Sequence, residues 1–262
     1  MNPQYRPLVP VNPQGLDDIA LALLNETPNN DKEERDKPLT PSTIPNREQY
    51  IILPTKTHGK YTYPDMLVAM DLTHLGKTWY DTHKLLAAEG NKMLTICQFV
   101  DFINLIKTGR AFNGAGKPVD KRRLDTIIDN IMTVRNPVRA EWFDAKFESR
   151  GGFAGVGNKM YINYNHTVDA AGNIKLGKTE QLEPYFESDK KPGINAEQWL
   201  RDASIYGIPK PNIATGDLYY WHPRNDHVAR FDAYSGGAYL GCDGDPTDSG
   251  ARLGVRASRE KI

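Results

Sequence analysis

Residues 228–242, VARFDAYSGGAYLGC, constrain the fold more than any other stretch of this 262-residue chain. Ala229, Phe231 and Ala233 alternate with Arg230, Asp232 and Tyr234. After Ser235-Gly236, Ala238, Leu240 and Cys242 alternate with Gly237, Tyr239 and Gly241. Successive side chains on a strand point to opposite faces. The pattern therefore predicts a hairpin with one small apolar face fit for a core and one face of mixed chemistry. Ala229, Phe231, Ala233, Ala238, Leu240 and Cys242 are expected to be buried, and Arg230, Asp232, Tyr234 and Tyr239 to be exposed on one surface. A one-residue slip would exchange the faces, so the alternation also sets the register. An Asp- and Gly-rich stretch follows at 243–252, and Leu253-Gly-Val-Arg256 reads as a final strand.

Helical patterns fall earlier in the chain. Residues 50–53 are a short apolar strand, and 66–70 a second strand or a short helix. Trp79, His83, Leu85 and Leu86 lie in a helix over 78–89 with Gly90 as its stop. Thr95-Ile-Cys-Gln98 is a capping box, and Phe99, Val100, Ile103 and Ile106 continue at helical spacing as far as Gly109. Leu124, Ile127, Ile128 and Ile131 mark a third helix, ended before Pro137. Strands and loops come later. Residues 141–147 place Trp142, Asp144 and Lys146 on one face and Phe143, Ala145 and Phe147 on the other. Residues 159–165 and 174–178 flank the turn cluster 169–173 and predict a hairpin. Residues 217–222 read as an aromatic strand. Helices first and strands later predict an α+β domain over 49–262, not a parallel α/β sheet.

Residues 1–48 hold eight of the 18 prolines and a charged run at 31–37. Proline fixes φ and removes an amide donor, which argues against regular sheet or a long helix. One short amphipathic helix fits 16–24. The segment reads as an extended arm against the domain or a partner, with a tail lacking structure as the alternative. The 33 basic and 33 acidic residues cancel, which argues against a broad electrostatic grip on nucleic acid or anionic lipid. The longest apolar run, 19–24, is too short to span a membrane. The first residues lack the basic-then-apolar order of a secretory signal. Two cysteines, Cys97 and Cys242, allow at most one bridge, and two separate buried thiols are expected.

Between Pro223 and Ser258 there is no Lys, Glu, Gln, Met or Trp. On the composition of the whole chain, a window this long should hold roughly six. Gly- and Asp-rich loops avoid long side chains, which accounts for part of this. The genetic code supplies a sharper reason, since codons ending in a pyrimidine encode none of those five residues. Arg, Asp, Tyr, Gly and His are all reached from the asparagine codon AAC by changing its two adenines.

Together, Val228-Ala229-x-Phe231-x-Ala233-x-Ser235, Ala238-x-Leu240-x-Cys242, Pro246, Ser249 and Leu253-Gly-Val-Arg256 form a frame. That frame resembles the variable proteins of diversity-generating retroelements, whose C-terminal region is rewritten by adenine-directed mutagenesis. Residues 139–147 (RAEWFDAKF) and 93–100 (MLTICQFV) are similar to the archaeal and archaeal-virus branch. The likeness covers roughly residues 50–258. It implies a C-type-lectin-type fold and a binding protein without catalysis, related in fold to formylglycine-generating enzymes. It also implies a hypervariable face at about 226–256 that recognises a protein or cell-surface receptor, from a virion or an exposed cell surface. Carried over by position, the changeable ligand-binding residues are His227, Arg230, Asp232, Tyr234, Gly236, Gly237, Tyr239, Gly241, Asp243, Gly244, Asp245, Asp248, Gly250 and Arg252. Tyr234 and Tyr239 would anchor a ligand through rigid amphipathic area. Arg230 and Arg252 would pair with anionic groups.

Two other readings compete. Asp243, Asp245 and Asp248 cluster with glycines as hard-cation loops do, but Thr247 breaks the EF-hand spacing and no Glu follows. An enzyme of the formylglycine-generating type would need a cysteine pair near the C-terminus, where only Cys242 lies, pointing inward. The six histidines show no HExxH or other metal spacing; His83 reads as structural, and His222 as a hydrogen-bonding residue beneath the binding face. Gly151-Gly152 and Gly155-x-Gly157 read as turns. No cofactor or metal is expected.

Overall fold

Local signals place the helices. In a computed structural model, residues 47–151 and 157–261 are described. They all belong to the unit Thr43–Ile262. The expected arm helix at 16–24 and glycines 152 and 155 lie outside them. Thr78 caps α1 (Trp79–Ala88) by accepting from the Asp81 amide, and Gly90 follows with φ +68°. The capping box forms as expected at α2 (Ile96–Lys107), with Thr95 and Gln98 bonded reciprocally. α3 (Lys121–Met132) is capped by Asp120, and α4 (Ala196–Asp202) by Asn195. These are the four α-helices among the described residues.

The strands, in chain order, begin with β1 (Tyr50–Leu53), β2 (Lys56–His58), β3 (Tyr61–Tyr63), β4 (Met66–Ala69) and β5 (Lys92–Met93). Then come β6 (Arg139–Arg150), β7 (Lys159–Tyr164), β8 (Thr167–Val168), β9 (Ile174–Lys175), β10 (Lys178–Gln181), β11 (Lys190–Ile194) and β12 (Thr215–Gly216). The last are β13 (Leu218–Trp221), β14 (Val228–Tyr234), β15 (Gly237–Gly244), β16 (Leu253–Gly254) and β17 (Ala257–Glu260). Nine of them form one sheet in the order β10-β7-β6-β14-β15-β13-β11-β12, with β16 also on β6. A second sheet has the order β1-β4-β17-β5. Pairings are antiparallel except β13 with β15 and β16 with β6. The fold class is α+β, as expected.

β14 and β15 form the expected hairpin around Ser235-Gly236, with Phe231 opposite Leu240 and Tyr234 opposite Gly237. Ala229, Phe231, Ala233, Leu240 and Cys242 are fully buried, and Ala238 is partly so. Phe231 packs on Phe99 of α2 and lies parallel to Trp199 of α4. Phe143, Ala145 and Phe147 of β6 join the same core, again from the face their alternation assigns. Val228, of the same parity as Arg230, joins a second cluster with Trp142, Trp79 and Leu253, and the register shifts between Val228 and Arg230.

Two strand expectations are corrected. β7 does not pair with 174–178 as a whole. Its partner is β10, with Lys178 opposite Tyr164, and the turn cluster 169–173 closes the smaller β8–β9 hairpin. The final strand is not 253–256. Leu253 and Gly254 pair with β6, and the chain then crosses to the other sheet as β17. Arg256 sits at that crossing, 2% exposed, with Nη1 donating to the Ala69 and Met70 carbonyls and Nε 3.4 Å from Glu141 Oε2. Val255 bridges Thr73 instead of β6, so the β6 pairing ends at Gly254.

Candidate recognition site on the C-terminal hairpin

The residues singled out by alternation meet as three cross-strand pairs: Arg230 with Gly241, Asp232 with Tyr239, and Tyr234 with Gly237. Directly opposed residues share a face. β6 extends it on one side, where Trp142 faces Arg230 and Ala140 faces Asp232. β13 extends it on the other, where Tyr219 pairs with Tyr239. A cavity of 370 Å³ opens on this surface. It is lined by Arg230, Asp232, Tyr234, Tyr239, Asp248, Gly250 and Arg252 of the predicted set, together with Val138, Ala140, Ala251 and Leu253. The Tyr234 and Tyr239 rings meet edge to face, with centroids 5.5 Å apart.

Exposure is less than the alternation suggests. Asp232 is buried, at 3% exposed, which corrects the expectation that it lies on the open surface. Arg230, Tyr234 and Tyr239 are half-buried rather than mostly exposed. The cause is the loop 245–252, which returns along this face before β16 and contributes Asp248, Gly250, Ala251 and Arg252 to the cavity wall. Arg230 fastens it, with Nη1 2.7 Å from Asp248 Oδ2 and Nε 3.2 Å from Asp232 Oδ2. The guanidinium also lies over the Trp142 ring, 5.9 Å from its centroid. Burial pushes the Asp232 carboxyl up to about 6, against the pull of Arg230 and a hydrogen bond from Tyr239.

The remaining predicted residues spread around this centre. Gly236 and Gly237 line a second recess of 770 Å³ with Asn195, Glu197, Asp217 and Tyr219. His227 is half-buried in the turn before β14, its Nδ1 2.7 Å from the Asn225 carbonyl. Asp243 lies 3.8 Å from Arg224. Gly241 and Gly244 are buried, another correction to the exposed set. Gly237 and Gly244 are also not freely changeable. Gly237 has φ +146°, and a Cβ on Gly244 would meet the Val228 carbonyl oxygen at 2.9 Å. At Gly241 the nearest atom to such a Cβ is in the Tyr239 ring at 3.2 Å, and at Gly250 it is Asp248 Oδ1 at 3.7 Å, both on side chains.

The three clustered aspartates do not converge. Asp245 Oδ1 accepts from the Thr247 amide and hydroxyl, Asp248 takes Arg230 and the Gly250 amide, and Asp243 turns to Arg224. Cys242 is fully buried and its thiol is pushed well above the ordinary value by desolvation, then by Asp243. Cys97 is likewise a free, buried thiol. His222 bonds Asp189, with Nδ1 2.6 Å from Oδ1, and Asp189 also holds Arg224.

Sequence reading missed Tyr219, which lines the second recess, and Trp142, which is buried beneath the Arg230 guanidinium. It also missed a buried group formed by His83, Asp144 and His166. These residues come from α1, β6 and the turn after β7, so no short spacing could reveal it. No protein-family model, curated protein or solved structure matches the chain.

Proposed function

We propose that this chain is a non-catalytic ligand-binding protein of C-type-lectin type, whose recognition face is the β14–β15 surface with the loop 245–252. Its partner is a protein or cell-surface receptor, and its variability comes from adenine-directed rewriting of the codons for the exposed positions. The single observation that carries this reading is convergence. Seven of the fourteen residues expected to vary line one cavity, while the intervening small apolar residues fill the core. Half-buried tyrosines beside an arginine are the residue types that anchor binding. The face is supported from behind by a packed sheet, so side chains can change without disturbing the core. The inward, desolvated Cys242 opposes thiol chemistry at this face.

No helix among the described residues is long and apolar enough to cross a membrane. Sequencing the DNA around the gene tests the variability directly. The expected result is a near-identical repeat of the codons for 223–258 with adenines at the changeable positions, and a reverse transcriptase nearby. A locus with neither contradicts the retroelement origin.

A further inference from the structure

Three side chains from separate elements meet in the interior: His83 of α1, Asp144 of β6 and His166 between β7 and β8. None of them lines the cavity at the hairpin. They are 4%, 1% and 6% exposed. Asp144 Oδ1 lies 2.5 Å from His166 Nδ1, and Asp144 Oδ2 accepts from the His166 amide at 3.1 Å. His83 Nε2 faces Asp144 Oδ1 at 3.8 Å, too long for a hydrogen bond. His83 Nε2 and His166 Nε2 are both buried with no hydrogen-bond partner. Buried polar atoms are normally satisfied, and each exception asks for a missing partner.

The surroundings hold these groups in place. Trp79 packs edge-on against both imidazoles, with centroids 4.1 Å from His83 and 5.0 Å from His166. Its indole Nε1 is anchored to the Phe143 carbonyl at 2.8 Å. Asn165 adopts φ +56° immediately before His166, which turns that residue's amide and ring towards Asp144.

We propose that His83, Asp144 and His166 form a binding site for a divalent transition metal of the zinc class. Two imidazoles and a carboxylate are the donors such ions take, at about 2.0–2.2 Å each. Two ligands of one ion are therefore at most about 4 Å apart. The 3.8 Å gap between His83 Nε2 and Asp144 Oδ1 lies within that limit. Binding would replace the hydrogen bond between His166 Nδ1 and Asp144 Oδ1, whose 2.5 Å spacing has to open for both atoms to hold one ion. It would pin α1 and the β7–β8 turn to β6, the strand that neighbours the recognition hairpin. The cluster of His58, Cys97 and Asp101 is different. There Asp101 already accepts from Lys56, His58 and Tyr63 at 2.6 Å each, and the lysine supplies the cation.

The test uses the full chain without a histidine tag, stripped with EDTA, desalted and titrated with Zn2+ or Co2+. One equivalent should survive gel filtration and raise Tm. Cobalt should give visible d–d bands without a thiolate charge-transfer band, which separates this site from the one containing Cys97. His83→Gln and His166→Gln should weaken binding beyond the roughly 10–100-fold that loss of a supporting neighbour costs. A wild-type chain that retains no metal, a thiolate band, or folded variants that bind as tightly as wild type would each overturn the site. If either variant fails to fold, the wild-type cobalt spectrum alone decides.

Discussion

Arg230 and Asp248 are joined at 2.7 Å, a bond that ties the hairpin to the loop returning across it. Both positions belong to the set expected to vary. The contact closes part of the surface the hairpin would otherwise offer. The same guanidinium approaches Asp232 at 3.2 Å, so the floor and the rim of the cavity share one cation.

The raised Asp232 carboxyl makes stability depend on pH. Its folded pKa is about 6, against a reference value of 3.8. Between those values the folded chain holds a proton that the unfolded chain has released. Stability is therefore greater below pH 4 in this respect and is lost as pH rises towards 6. Relative to Asp232→Asn, the wild type should lose about 2–3 kcal/mol between pH 4 and 7, measured by urea unfolding. A difference that stays flat across that range places the carboxyl in solvent.

Phe231→Ala should cost about 3–5 kcal/mol, the range for deleting a buried aromatic. Its ring is 0% exposed between Phe99 and Trp199. Tyr234→Ala, three residues along on the other face, should cost only about 0.5–1.5 kcal/mol through its edge contact with Tyr239. Equal losses in chemical denaturation would mean that both faces are core.

The glycines divide by geometry. Gly237→Ala and Gly244→Ala should each destabilise by at least about 1 kcal/mol, one by backbone strain and the other by a clash with the Val228 carbonyl. Gly250→Ala, in open contact, should stay within about 0.5 kcal/mol. Thermal melts of the three variants check the order, and a Gly250→Ala penalty as large as the others would show the loop to be tightly packed.

Much of this fold is legible where the signal is local. The capping box at Thr95, the stop at Gly90 and the turn at Ser235-Gly236 each depend on residues a few positions apart. Period-two alternation correctly assigns Phe231 and Leu240 to the core. Alternation describes one strand and its two faces; it says nothing of what later covers the second face. That is why Asp232 was expected in solvent, when the loop 245–252 and Arg230 enclose it. The β7 pairing failed for a related reason, because a turn-rich cluster marks the nearest hairpin, β8–β9, and hides the longer-range partner β10. His83, Asp144 and His166 come together only through tertiary packing.

The central claim is that the half-buried and exposed positions of the hairpin face select the ligand while the frame keeps the fold. The direct measurement is a displayed library randomised at Arg230, Tyr234, Tyr239, Asp248 and Arg252. It is scored for folded yield and for binding to three unrelated purified proteins, with Asp232 and the apolar frame left intact. The account predicts that most members fold and that different members are enriched on each target. Contact-centre tyrosines and arginines in the selected clones should each contribute about 2 kcal/mol or more on alanine substitution. A library that mostly unfolds, or one whose folded members all bind the same target regardless of these five residues, would contradict it.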